Sequence, residues 1–483
     1  MKISSLAKTS KKFLQTNSRC FSTCLNNKAS LIGSPGEIPL SSFFPGTPVL
    51  PNQVDVSEES LVFQTQKSTL PNGLNVVSTD STSRGVSVVS LFVNAGSRFE
   101  TYRTSGVSHF VEKFFFSGTN NRSLLRLVTE LQKTGATVSA QTGRENIVYQ
   151  TEALRESVPL VLELISNSVL QGRLHPWDLE PKTEAVKRDI SEFQNNPQFI
   201  LNEALHNIAF NGETLGRSLL CPPHNVSKID TDVILTYMDN LFVAPRMTLV
   251  GTNISHEELK ELASTLFGSI PTQVSQRPEG ELFTFDKSEY VGGDYQIHDL
   301  SGNGVHAILA YKGPSLNSST QAPYLVLNEF LGQTSNKYTA SIHHTASRLA
   351  KTVKNAEFGS SFVTSYSDNG LFGVYLSGKN AKEVSQAVEK VVSELNSVDK
   401  NLTEEAFEGA KNHALLKLYN SVSSSLGLNE HNAAYGSVQE VAQAISNVTA
   451  QDVKQAAKYL LQSNPTLVSY GNLDGMIKTR NIQ

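Results

Sequence analysis

The strongest constraint on this chain is that it is written twice: its two halves resemble each other at an offset of about 220 residues. Leu91-Phe-Val-Asn-Ala-Gly96 corresponds to Ile308-Leu-Ala-Tyr-Lys-Gly313. Gly135–Tyr149 matches Gly359–Gly373, and both read as a strand, a polar turn and a second strand. An amphipathic helix follows each, Val158–Val169 in the first copy and Ala381–Leu395 in the second. Near the end of each half, Thr231–Asp239 precedes Pro245 and Gly251 as Gln451–Tyr459 precedes Pro465 and Gly471, a capped helix leading into a short strand. Matches that recur in the same order favour duplication over a rhythm that any α/β chain shares. The expected fold class is therefore α+β: two homologous half-domains, each a mixed or antiparallel sheet packed with helices.

The length agrees, since 483 residues exceed one ordinary core. Ordered sequence is expected from about Lys67, where Pro71-Asn72-Gly73 makes a tight turn between two strand-like segments. The N-terminal half-domain is placed at 67–269 and the C-terminal one at 294–483. A linker at 270–293 carries Pro271, Pro278, Gly280, Gly292 and Gly293. A net charge of −4 gives no general pull towards nucleic acid. No uninterrupted apolar run of about 18 residues occurs, and the most apolar stretch, Val158–Val169, is broken by Glu163, Ser166 and Asn167. Cys20, Cys24 and Cys221 make neither a disulfide framework nor a four-cysteine metal site, which suits a reducing compartment. Residues 1–36 carry Lys2, Lys8, Lys11, Lys12, Arg19 and Lys28 and no acid, and read as a mitochondrial transit peptide. Arg19-Cys20-Phe21-Ser22 puts the expected cut between Phe21 and Ser22.

One short motif carries chemistry. In the pattern H-x-x-E-H, two imidazoles one helical turn apart hold Zn²⁺ and the glutamate acts as general base on the metal-bound water. This chain has His109-Phe-Val-Glu112-Lys113 instead. A lysine at neutral pH is an ammonium with three donors and no lone pair. Deprotonating it to make a ligand would cost roughly 4–5 kcal/mol before any metal binds.

The stretch Gly106–Thr119 around this motif resembles the pitrilysin-type, or inverzincin, peptidase family, and the resemblance extends over almost everything after residue 65. Within the family it is most similar to the mitochondrial branch of processing-peptidase subunits and core subunits of ubiquinol–cytochrome c reductase. The resemblance implies that the two half-domains form a clam shell. It also implies a third metal ligand, a glutamate roughly 75 residues beyond the second histidine. Aligned through Leu205-His206 and Leu215-Gly216-Arg217, that position falls on Asp189, one methylene short. His109, Glu112, Lys113 and Asp189 are accordingly expected to be vestigial, with Lys113 paired to Glu112 or Asp189. No catalytic residue, no metal and no cofactor are expected. The neighbouring His343-His344 is no replacement ligand set, because adjacent side chains point in different directions.

Two branches of the family compete. The alpha subunit of the processing peptidase also shows a lysine after the motif glutamate, but carries a glycine-rich loop where Leu331–His344 here has a single glycine. Ser365–Tyr375, Ser469–Leu473, Thr142–Tyr149 and Leu219-Leu-Cys-Pro222 look like the core subunits, the second in particular. That resemblance implies a non-catalytic structural subunit of complex III, peripheral to the mitochondrial inner membrane on its matrix side. Its partners would be a sister beta-type core subunit, cytochrome b and cytochrome c1. The chain has no Cys-x-x-Cys-His and no iron–sulfur spacing of its own. The alternative is the presequence-recognising alpha subunit, for which Glu257-Glu258 and Glu404-Glu405 offer only weak acidic support. An active zinc metalloendopeptidase is the remote alternative.

Overall fold

The computed structural model describes residues 64–80, 85–273, 283–299, 304–334, 347–353 and 357–481, with residues 116, 120, 171 and 173 excepted. The transit-peptide segment with its expected cut, Cys20, Cys24, residues 274–282 of the linker, His343-His344 and most of the Leu331–His344 stretch lie outside the described residues.

Strands β1 (Thr65–Thr69) and β2 (Asn75–Thr79) form the expected hairpin, with Thr69 opposite Asn75. Gly73 turns the corner at φ +92°, a region that side chains with a Cβ avoid. Adding β3 (Val86–Val93), β4 (Thr137–Thr142), β5 (Ile147–Leu154) and β6 (Met247–Thr252) gives the sheet order β1-β2-β6-β3-β5-β4, in which only the β2–β6 pair is parallel. The second sheet contains β7 (Gly293–His298), β8 (Val305–Gly313), β9 (Phe358–Ser365), β10 (Gly370–Gly378) and β11 (Thr466–Gly471) in the order β7-β11-β8-β10-β9, with only β7–β11 parallel. Without the extra strand β1, the two sheets have the same strand order and the same strand senses. The duplication read in the sequence is thus present in the topology.

The helices of the first half are α1 (Val107–Phe114), α2 (Leu124–Thr134), α3 (Val158–Leu170), α4 (Pro176–Phe193), α5 (Pro197–Ala209), α6 (Thr231–Leu241) and α7 (His256–Phe267). Those of the second, besides the single turn Val398–Asn401, are α8 (Ser318–Leu331), α9 (Arg348–Thr352), α10 (Ala381–Asn396), α11 (Glu404–Ser421), α12 (Ser425–Ala434), α13 (Val438–Ser446) and α14 (Ala450–Gln462). The two capped helices of the repeat are α6, where the Asp230 side chain accepts from Val233 N–H, and α14, where Thr449 and Asp452 form a capping box. Among the described residues, no helix is long and apolar enough to cross a membrane.

Strands β3 and β11 are buried almost end to end, which requires both faces of each sheet to be covered. One face of each sheet is covered from within its own half, by α3 in the first and α10 in the second. The other face is covered from the opposite half. Leu201, Leu205 and Ala209 of α5 pack on Ile308, Ala310 and Val468 of the second sheet. In exchange, α12 lies on β3 and β6 of the first sheet. Its Asn429 amide donates to the Val88 carbonyl (3.0 Å) and to Ser90 Oγ (3.2 Å), and accepts from Thr252 Oγ1 (2.6 Å).

A buried arginine pins the seam between the halves. Arg98, with its side chain 8 % exposed, donates to Glu145 Oε1 (2.6 Å) in the β4–β5 turn and to Asp368 Oδ1 (2.9 Å) in the β9–β10 turn. Glu145 accepts from Ser367 N–H (3.0 Å), and Asp368 from Ser288 N–H (2.8 Å) in the segment leading to β7.

Candidate functional site

The motif occupies α1. Gly106 caps it at φ +95°, and a Cβ there would run into Cys221, so only glycine fits. The helix buries Val107, Phe110, Val111 and Phe114 against the core and leaves Glu112 and Lys113 half-buried. Its first turn is anchored by Glu100, a fully buried carboxylate that accepts from Gly106 N–H (2.7 Å), Ser108 N–H (2.8 Å) and Ser108 Oγ (2.6 Å). Burial pushes the Glu100 carboxyl up to about 7, although all three donors favour its charged form. Helix α4 packs against α1 through Val186 and Ile190, and this places Asp189, on the same face, beside the motif.

The four residues singled out from the sequence meet. Lys113 Nζ lies 2.5 Å from Asp189 Oδ2 and 2.9 Å from Glu112 Oε1. Glu112 Oε2 accepts from the Thr142 N–H (2.9 Å), which ties α1 to the end of β4. His109 Nε2 lies 3.1 Å from the same Asp189 oxygen, and its Nδ1 accepts from the Cys221 N–H at 3.4 Å. With the lone pair of Nδ1 taken by an amide, the proton sits on Nε2 and is donated to Asp189.

The electrostatics follow from these contacts. Burial holds the His109 imidazole below its usual range, against the pull of Asp189 and Glu112, so the ring is neutral near pH 7. Burial also disfavours the Lys113 ammonium, but its hydrogen bonds to Asp189 and Glu112 outweigh that and keep it above the ordinary lysine value. The Asp189 carboxyl is partly desolvated, yet the donors on Lys113 and His109 hold it below the usual carboxylate range.

Zinc does not fit this arrangement. Metal ligation needs lone pairs converging on one point, whereas His109 presents an N–H and both carboxylates are turned onto an ammonium. Among the described residues, no group of three or more His, Cys, Asp or Glu side chains is set to hold a metal ion. Lys113 supplies in place the positive charge that a metal would bring. Glu100, the Thr142 amide and the Cys221 amide complete the site without having been singled out from the sequence. The one sequence signal for Glu100 is a carboxylate a few residues ahead of a helix-capping glycine, and the two amides leave no side-chain signal.

Comparison with known proteins places this geometry in context. Residues 75–223 match the family described as Insulinase (Peptidase family M16), and residues 228–413 match the Peptidase M16 inactive domain. The chain is 30 % identical to the mitochondrial-processing peptidase subunit beta of Lentinula edodes, over 85 % of this chain and 91 % of that one. It is 29 % identical to the mitochondrial-processing peptidase subunit alpha of Solanum tuberosum, over 88 % and 84 % of the two chains. Identity to the corresponding beta subunit of Bos taurus is 27 %, over 90 % of each chain.

Proposed function

The chain belongs to peptidase family M16, and we propose that within it this protein is a non-catalytic subunit that works by assembling with a sister M16 subunit. The observation that carries the reading is the Lys113 ammonium seated between Glu112 and Asp189. The ammonium neutralises the candidate base and stands in the motif position from which a second imidazole would bind the metal. A mitochondrial setting is supported by the names of the relatives and by the basic, acid-free first 36 residues.

The finer reading is a core subunit of ubiquinol–cytochrome c reductase, peripheral to the inner membrane on its matrix side. It pairs there with a beta-type sister and supports cytochrome b and cytochrome c1 by protein contacts alone. The glycine-poor stretch Leu331–His344 supports it over a presequence-handling role, since a backbone with one glycine has few of the close-approach conformations that a glycine-rich loop offers. The second reading, the alpha subunit of the processing peptidase, is supported by the likeness to the Solanum tuberosum alpha subunit, and the other two relatives named above are beta subunits of that peptidase. Purification of the native protein from mitochondria separates the two. Cytochromes b and c1 recovered at equal stoichiometry support the core reading. Recovery with a processing beta subunit, free of cytochromes, replaces it with the alpha reading. Chelator-sensitive zinc bound at one equivalent through His109 would overturn both.

A further inference from the structure

Arg98 is not the only arginine at the seam. Arg246, just ahead of β6, lines a crevice of about 400 Å³ between the halves. Its guanidinium rests in the corner between two aromatic rings, 4.3 Å from the centre of Phe99 and 4.9 Å from that of Phe285. Nε (2.9 Å) and Nη2 both donate to the Asn94 carbonyl. Among the described residues, Nη1 has no acceptor and the group has no carboxylate partner. The rings and the carbonyl hold the cation in one orientation without neutralising it. Burial pushes the guanidinium down to about 10, so it stays charged near pH 7. The crevice holds a second uncompensated charge, Glu430 of α12, which accepts from Gln150 Nε2 (3.1 Å). No ion pair joins Glu430 to Arg246 among the described residues. By contrast, Arg98 and Glu145 in the same wall satisfy each other at 2.6 Å. Phe92, Leu316 and Ala433 make the lining partly apolar.

We propose that this crevice binds a small linear zwitterion, with its carboxylate on Arg246, its ammonium on Glu430 and a methylene spacer along the apolar lining. Nη1 and the second N–H of Nη2 form a fork that matches a carboxylate through two parallel hydrogen bonds. An ammonium is a compact charge that a carboxylate accepts from any direction, which suits the exposed Glu430. The two signs also select. Glu430 opposes a phosphate or a dicarboxylate, and Arg246 opposes a polyamine. A cavity of this size, with apolar walls and a few placed polar groups, is the usual form of a small-ligand site. The crevice shares no residue with the Lys113–Asp189 pair, and the inference is independent of the subunit role proposed above.

The test is isothermal titration calorimetry of the full-length folded protein at pH 7 and low salt, with glycine, 4-aminobutanoate and 6-aminohexanoate. One length of this series is expected to bind saturably, about tenfold tighter than the amine or the carboxylate of equal length, each of which loses one charged contact. The length preferred reports the separation of Arg246 and Glu430. Arg246→Gln and Glu430→Gln should each weaken that ligand about tenfold. Glu430→Lys should reverse the selection, so that the dicarboxylate of equal length binds better than the amino acid. If Arg246→Gln does not fold, having lost its bonds to the Asn94 carbonyl, the reversal in Glu430→Lys decides. The absence of saturable binding across the series, equal binding of the zwitterion and its singly charged analogues, or an affinity unchanged by Glu430→Gln overturns the proposal.

Discussion

At the scale of single residues, the site is a balance of three charges around one neutral ring. Lys113→Met leaves Asp189 with only the His109 donor, and is expected to destabilise the protein by about 1–3 kcal/mol in urea unfolding at pH 7. The sign of its pH dependence follows from the two shifts. Asp189 has a depressed folded pKa, so its contribution is present above the unfolded value near 3.9 and is lost as pH falls through the folded one. Lys113 has a raised folded pKa, so its contribution holds below the unfolded value near 10.4 and is lost as pH rises through the folded one. The difference between wild type and Lys113→Met should therefore form a plateau between these limits and shrink at acid pH. In the same variant the His109 ring should titrate at higher pH by NMR, because a neighbouring ammonium no longer opposes its charge. Glu100 has the opposite dependence. Its folded carboxyl binds a proton more tightly than the unfolded one, so it makes stability fall as pH rises from about 4.3 towards 7. Glu100→Gln should flatten that slope in unfolding midpoints taken from pH 5 to 8; an unchanged slope would refute the assignment. The motif itself was legible in the sequence because residues three and four apart on a helix share a face whatever surrounds them. Asp189 needed the family alignment. Glu100 and the Cys221 amide could not be read, because tertiary packing alone brings them to α1.

At the scale of elements, the repeat was legible and the exchange of helices between halves was not. The strand–turn–strand units and the helices after them announce themselves by local periodicity. Val158–Val169 and Ala381–Leu395 are found as Val158–Leu170 and Ala381–Asn396. Amphipathicity, however, says that a helix has a buried face and not which sheet it is buried against. Helix α5 looks like any apolar-faced helix of the first half, yet its leucines complete the second core. Helix α12 is harder still, since it meets its sheet through Asn429 and Asn432 rather than through leucines, and so shows no strong apolar stripe. Leu205, fully buried in that exchanged contact, gives the test. Leu205→Ala should cost about 2–5 kcal/mol. Hydrogen exchange should report the damage mainly in β8 and β11 of the opposite half. Loss of protection confined to β3 and β5 would contradict the packing described.

At the scale of the molecule, the two halves hold one another by more than the segment that joins them. Each lends a helix to the other's sheet, and the Arg98 cluster bonds both hairpin turns to the approach to β7. A protease site inserted within residues 274–282 and then cut should give two fragments that still co-elute as one species in size-exclusion chromatography. Fragments that separate without denaturant would show the seam to be weaker than its contacts suggest. Arg98→Ala should lower the urea concentration needed to part them, because it strands Glu145 and Asp368 in a largely buried seam.

The exchange of helices also sets a schedule for making the protein. Asn429 reaches back to Val88 across 341 positions of sequence. A chain delivered from its N-terminus completes every strand of the first sheet long before α12 exists to cover it. During that interval Phe92, Val77 and Val250 line a bare sheet face that the finished molecule buries. Such a nascent half is an adhesive intermediate, slow to close because its last contact is so remote. The shared architecture that steadies the mature protein thus makes its synthesis the step most open to aggregation.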